Sequence, residues 1–288
     1  MSSTRPTVAV LGTGTIGAPV ARNLAKTGFE VRVWNRTREK ADELVPDGVV
    51  VAASPNAAVK GADIVLTVLK DGQAVRETMA VAAPELGADA VWAQLSTVGE
   101  DIDDLAAWAA ERGISFVDAP VQGTRQPAEQ GQLVVLAAGP EPARAALAPV
   151  FDTIGRKTVW VAAEAGAASR LKLVLNTWVI ALTSGVAEAM ALAEGIGVDP
   201  AHFVDVVSGG PMDNGYFQGK SAAIRSGDFT PAFTVDNAEK DARLVLAAAE
   251  RAGVRLDAVR AGADRFARAS ALGHGGQDMA ATYFASFE

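Results

Sequence analysis

Short apolar runs separated by stretches of helical composition recur from Thr7 to about Ala163, and beyond that point apolar residues fall at helical spacing. The first run, Val8-Ala9-Val10-Leu11, opens directly into Gly12-Thr13-Gly14-Thr15-Ile16-Gly17. Residues 18–26 then have helical composition, Gly28 stops them, and Phe29-Glu30-Val31-Arg32-Val33-Trp34 alternates. Alternation marks a half-buried strand and a spacing of three to four marks a helix, so this segment predicts a strand–helix–strand unit. Further apolar runs at 49–53, 64–69, 91–95, 116–117, 133–138 and 159–161 extend the pattern. They predict a mainly parallel, doubly wound sheet with helices on both faces.

After residue 163 no segment reads as a strand. The chain therefore predicts a Rossmann-type α/β domain over 1–163, followed by an all-helical substrate and oligomerisation domain over 164–288. A long apolar helix over about 166–194 joins them and is expected to be buried between the domains. Its uncharged core, 173–187, falls short of the roughly 20 residues that a membrane span needs. Gly195 and Gly197 end it, and Asp199-Pro200 has the chemistry to start the next helix.

A strand that feeds G-x-G-x-x-G and then a helix is a dinucleotide-binding pattern. Gly12 permits the tight turn, Gly14 removes a side chain that would block a pyrophosphate, and Gly17 lets helix and strand pack closely. Phosphates can then meet free N–H groups at the helix start. The candidate cradle is Gly12, Thr13, Gly14, Thr15, Ile16 and Gly17; a glycine-rich turn without a ligand is the plain alternative. At the end of the second strand, Asn35-Arg36-Thr37-Arg38 stands where a cofactor lacking the 2′-phosphate would meet an acid on its ribose. Donors and neutral groups there suit a 2′-phosphate, which predicts a preference for NADP(H), with NAD(H) still possible.

Composition narrows the classes. At 288 residues with 49% hydrophobic and 21% charged content, the chain is globular and long enough for two cores. The net charge of −8 argues against nucleic acid or an anionic membrane as a partner. There is no cysteine, and the histidines are His202 and His274, so no metal site is expected. Residues 1–6 carry no apolar signal core, which predicts a cytoplasmic protein.

Two places can do chemistry. Lys172 interrupts Leu171-Lys172-Leu173-Val174-Leu175-Asn176, and Asn176 lies one turn on, on the same face. A partly desolvated lysine is a competent general acid; a lysine snorkelling from a helix margin would give the same pattern. The second place is Asp118-Ala119-Pro120-Val121-Gln122-Gly123-Thr124, a strand end running into a loop. Loops leaving the carboxyl ends of a doubly wound sheet line the ligand crevice. Gln122, Gly123 and Thr124 can there hold a substrate carboxylate, while Asp118 and Pro120 are expected to be structural.

Together these motifs, with Ser96-Thr97 and the stretch from Phe233 to Lys240-Asp241, resemble the β-hydroxyacid dehydrogenases, a family that includes 3-hydroxyisobutyrate dehydrogenase and semialdehyde reductases. The resemblance covers essentially the whole chain. It implies that Lys172 is the catalytic lysine and Asn176 its companion. It also implies that Leu69 and Thr97 lie by the cofactor, the latter near the nicotinamide, that Lys240 closes over the cofactor site, and that the protein is a homodimer or homotetramer. Three departures stand out: Gln122-Gly123-Thr124 where the family commonly has Ser-Gly-Gly, Leu175-Asn176 for Asn-Asn, and Leu69-Lys70 for Leu-Pro. The resulting expectation is an NADPH-preferring oxidoreductase that interconverts a small carbonyl compound and its hydroxy form. The alternatives are an imine reductase, in which an Asp or Tyr usually stands at the position of Lys172, and a non-catalytic NADP-binding protein.

Overall fold

The computed structural model describes residues 5–287, so most of the N-terminal stretch behind the cytoplasmic expectation, Met1 to Thr4, lies outside the described residues. The chain divides into two compact units, one ending at Lys172 and the other beginning at Leu173. The expected division at 163/164 falls in the connection just after the last strand.

In the first unit the elements run β1 (Val8–Leu11), α1 (Gly17–Lys26), β2 (Val31–Trp34), α2 (Arg38–Asp42), β3 (Val50–Val51), α3 (Pro55–Val59), β4 (Ile64–Thr67) and α4 (Gly72–Ala82). They continue with β5 (Val91–Gln94), α5 (Asp101–Ala110), β6 (Ser115–Asp118), β7 (Val121–Gln122), α6 (Arg125–Glu129), β8 (Leu133–Ala138), α7 (Glu141–Ile154) and β9 (Gly155–Ala162). One sheet holds them in the order β3-β2-β1-β4-β5-β6-β8-β7, with β9 on β8. Pairing is parallel from β3 to β6. β8 runs antiparallel to β6 and β7, and β9 follows β8 in parallel. β6 and β7 are in effect one line of chain interrupted by Ala119-Pro120, since the Leu136 N–H donates to Pro120 O at 2.9 Å.

The physical reason for the apolar runs is burial on both faces. β1, β4 and β5 are buried at every position, as central strands covered by helices must be. One face packs Val8, Val10, Leu24, Val33, Leu66 and Phe151 together. The other packs Leu11, Val65, Met79, Trp92 and Ile102. The Trp92 indole N–H, fully buried, donates to Thr67 Oγ1 at 3.0 Å, so the ring brings no unsatisfied polar group inside.

The long helix α8 (Ala167–Gly195) starts in the first unit and continues as the opening helix of the second. α9 (Pro200–Val207), α10 (Gly215–Ser226), α11 (Val235–Arg251) and α12 (Asp257–Ala269) follow, and among the described residues of this unit there is no strand. Asp199, Asn214 and Thr234 cap α9, α10 and α11 by accepting a backbone N–H of the first turn. The expectation of a buried α8 needs correction. Leu173, Ile180, Val186 and Met190 are packed into the second unit's clusters, but Val174 and Trp178 are each 62% exposed. The apolar residues spread around the whole helix rather than along one stripe, so one unit cannot cover them all. By length and composition alone α8 can also cross a bilayer; its four packed residues mark it as a core helix of the second unit.

The start of α8 is fixed by a single buried carboxyl group. Asp118, at the end of β6, has no solvent exposure. Its Oδ2 accepts from Gly166 N–H at 3.0 Å and Ser169 N–H at 2.8 Å, and Oδ1 lies 2.7 Å from Ser169 Oγ. A helix start leaves its first N–H groups without intrahelical acceptors, and Asp118 supplies two from outside the helix. Burial pushes its pKa above the ordinary 3.8, against the opposing pull of the Ser169 and Gly166 hydrogen bonds. Asp118→Ala is expected to lose about 2–4 kcal/mol, because two buried N–H groups lose their acceptor. Asp118→Asn can accept from both N–H groups and donate to Ser169 Oγ, so it should keep most of the stability. With the folded pKa raised, the wild-type contribution is complete below the unfolded value near 3.8 and is lost as pH rises through the folded one. The Asn variant should therefore gain on wild type over that rise. Urea midpoints of the three proteins across pH test this, and an Ala variant as stable as wild type would refute it.

Candidate functional site

The strand order reverses between β1 and β4, and in open α/β sheets this is where ligands meet the carboxyl ends of the strands. The residues singled out in the first unit converge on that edge. Gly12 follows β1 at φ +108, and a Cβ there would lie 2.2 Å from Val68 O, in the connection after β4. A Cβ on Gly17 would lie 1.9 Å from Gly12 O. These two glycines are demanded by the protein itself. Gly14 is not: a Cβ there would meet nothing within 4 Å. The open space in front of Gly14 is what a pyrophosphate would need. α1 behind it has no side-chain cap and no acidic residue in its first turn, so the positive end of its dipole faces the turn unopposed, although the Ala18 N–H already donates to Gly14 O at 3.1 Å and Pro19 has none. Among the cradle residues Thr15 is exposed and Ile16 packs on the core. The residues present fit a dinucleotide.

Asn35 braces this cradle. Its Oδ1 accepts the Thr13 N–H at 3.1 Å, and its Nδ2 donates to Thr37 O at 2.8 Å. Its amide thus ties the end of β2 to the glycine turn, and Thr13 is buried beneath the turn. Arg36 and Thr37 are exposed at the end of β2, while Arg38 pairs with Asp42 at 3.4 Å.

At the next two strand ends, Ser96 is the link. Its Oγ accepts the Leu69 N–H at 2.8 Å and donates to Thr67 O at 3.3 Å, and its own N–H donates to Gln94 Oε1 at 2.6 Å. The half-buried Leu69 and Thr97 are thereby held at adjacent strand ends. Beyond β7, Gln122, Gly123 and Thr124 are half-buried.

Lys172 is 8% exposed, and its Nζ donates to Gln122 Oε1 at 2.9 Å. The ammonium is therefore held inside, not carried out to water, and it meets the strand line that Asp118 also ends. Ser169, clamped by Asp118, sits one turn before Lys172 on α8.

In the second unit, Asn176 is 5% exposed and its Nδ2 donates to Asp241 Oδ2 at 3.0 Å. Asp241 Oδ1 in turn lies 2.8 Å from Lys240 Nζ. Asn176 and Lys240, expected as separate site residues, are thus joined through one buried carboxylate. Asp241 has no assigned role in the sequence reading. Its signal there is the acid directly after Lys240 on the buried side of an amphipathic helix, where an unpaired charge would be costly.

A family model described as the NAD binding domain of 6-phosphogluconate dehydrogenase matches residues 7–162. Another, described as NAD-binding of NADP-dependent 3-hydroxyisobutyrate dehydrogenase, matches residues 166–285. The chain is 31% identical over 278 residues to glyoxylate/succinic semialdehyde reductase 1 of Arabidopsis thaliana, covering 95% of this chain and 96% of that one. It superposes on the crystal structure of 3-hydroxyisobutyrate dehydrogenase from Salmonella typhimurium with a TM-score of 0.89 at 26% identity, covering 96% and 98% of the two chains. An imine reductase from Pseudomonas sp. superposes with a TM-score of 0.63 at 21% identity, covering 98% and 100% of the chains. That last likeness is one of fold.

The glycine geometry separates folding from binding. Gly14→Ala is expected to keep the wild-type thermal midpoint, since its Cβ enters open space, while weakening dinucleotide binding about tenfold or more, a loss of at least roughly 1.4 kcal/mol. Gly12→Ala is expected to lower the midpoint, since its Cβ strikes a carbonyl oxygen. Melting curves and cofactor titrations of both variants decide it; a Gly14→Ala variant that binds as wild type would remove Gly14 from the cradle.

Proposed function

The chain belongs to the β-hydroxyacid dehydrogenase family and is an NAD(P)-dependent oxidoreductase of the 3-hydroxyisobutyrate dehydrogenase type acting on CH–OH groups; from that premise we propose that it is an NADPH-preferring reductase of a small carbonyl acid, with Lys172 as general acid. The observation that carries this reading is the buried Lys172 ammonium held at 2.9 Å by a neutral amide oxygen. A nicotinamide, when bound, supplies the hydride that the carbonyl carbon takes up. Lys172 gives its proton to the oxygen that becomes the alkoxide, and the amine is reprotonated from solvent; in the oxidative direction it accepts the proton instead. Asn176 is fixed by Asp241, which also meets Lys240. Gly12, Gly14, Gly17 and the start of α1 hold the pyrophosphate, with Leu69 and Thr97 beside the nicotinamide. Gly123 and Thr124 orient the substrate.

The NADPH preference is supported by Arg36 and Thr37. Both are exposed where an acid would otherwise meet the ribose. Arg36→Ala should weaken NADPH far more than NADH, by about ten- to a hundredfold for a charge-assisted contact. Equal losses for the two cofactors would place the preference elsewhere.

A homodimer is part of the same reading. Val174, Trp178, Leu192 and Ile196 are each more than 60% exposed along α8 and its end, an apolar surface suited to a second copy. Light scattering at micromolar concentration that returned the chain mass of 29.6 kDa would rule it out.

Lys172 is tested with glyoxylate, succinic semialdehyde and NADPH, and with 3-hydroxyisobutyrate and NADP+ in reverse. Lys172→Ala should leave NADPH affinity nearly intact and cut turnover about 10²–10⁴-fold, the usual contribution of general acid catalysis. Lys172→Arg should not restore it, because a guanidinium does not release a proton near neutral pH. If the Ala variant keeps more than about a tenth of the turnover, Lys172 is structural.

A further inference from the structure

We propose that Gln122 is a positioning residue for Lys172, and that it sets the pH range over which that lysine can deliver its proton; the inference rests on the general-acid reading given above. The argument begins with the backbone. β7 is only two residues long, yet Gln122 is registered opposite Val134 on β8, and Val121 opposite Val135. Gly123 follows at φ +133, where a Cβ would lie 2.8 Å from Leu133 Cδ2. The chain on either side of Gln122 is thus seated against β8, and its side chain leaves from a fixed point.

The other partner is equally fixed. Lys172 lies one turn after Ser169, whose N–H and hydroxyl are both bound to Asp118. Asp118 ends β6, four residues before Gln122 on the same interrupted strand line. One short segment therefore anchors both the helix that carries the ammonium and the amide that receives its hydrogen bond. The 2.9 Å contact between Lys172 Nζ and Gln122 Oε1 closes that loop.

The chemistry of the acceptor matters. An amide oxygen orients an ammonium and satisfies one of its donors without adding a negative charge, whereas a carboxylate at the same place would favour the charged form. A serine, the residue more common in the family at this position, is two heavy atoms shorter and could not span the same gap. The other end of the Gln122 amide, Nε2, is not spent on holding Lys172, since the contact uses Oε1 alone.

The test measures the pH dependence of kcat for NADPH-dependent reduction of succinic semialdehyde and glyoxylate, using the full chain. Gln122→Glu should move the alkaline limb upward by about 1–2 pH units, since an opposite charge within hydrogen-bond distance favours the ammonium. Gln122→Leu, similar in bulk but unable to accept, should lower kcat about tenfold with NADPH affinity unchanged, since misplacing a proton donor is costly even when binding is intact. A merely structural glutamine would lower the melting temperature of both variants and leave the limb where it was. If the limb of Gln122→Glu overlays wild type and Gln122→Leu keeps full kcat, the proposal fails. Lys172→Ala separates the two levels: if it is inactive while both Gln122 variants behave as wild type, only the role of Gln122 is overturned; if it is active, the general-acid reading falls first.

Discussion

The buried carboxyl of Asp118 is the constraint on which the first unit's chemistry depends. It sits at the end of a sheet strand and receives two N–H groups from the start of α8. Fixing the first turn of a helix fixes the direction in which the side chains of the next turn leave it. Lys172, one turn beyond the clamp, inherits its position from Asp118. The arrangement also explains why the acid tolerates full burial: its oxygens are occupied by three donors, and a carboxyl that is neutral or charged can satisfy that set.

A similar economy governs the dinucleotide edge. Gly12 and Gly17 are required by carbonyl oxygens of the protein, so they would be glycines with or without a ligand. Asn35 ties the turn to the end of β2 through both ends of its amide. What these contacts build is a rigid frame around an opening, and Gly14 with the uncapped start of α1 lines that opening. Preorganised donors cost little to use when an anion arrives, because the ordering has already been done in folding.

How much of this was legible in the sequence follows from how local each signal is. β1, α1 and β2 could be read because their pattern is set by burial on a short stretch of chain. The same holds for Lys172 and Asn176, whose shared face is a consequence of helical geometry over four residues. β7 could not be read: two residues have no period, and this strand exists only because β8 lies beside it. The clamp of Asp118 on Ser169 and the bond from Asn176 to Asp241 join residues 51 and 65 positions apart, distances at which single-sequence patterning carries nothing. The exposed side of α8 was misread for a related reason. A helix apolar on all sides reads as buried throughout, but the sequence does not say which of its sides the rest of its unit covers.

The two units solve the same electrostatic problem in opposite ways. Asn176, a neutral amide, is held by a charged acid that is itself paired with Lys240. Lys172, a charged group, is held at its contact with β7 by a neutral amide. In the first case the charge belongs to the support, and the supported group has no proton to exchange; strength of binding is then an advantage. In the second, the support adds no charge of its own, and a carboxylate in its place would favour the ammonium form more strongly than an amide oxygen does. The neutral acceptor thus meets the charged side chain, and the charged acceptor meets the neutral one.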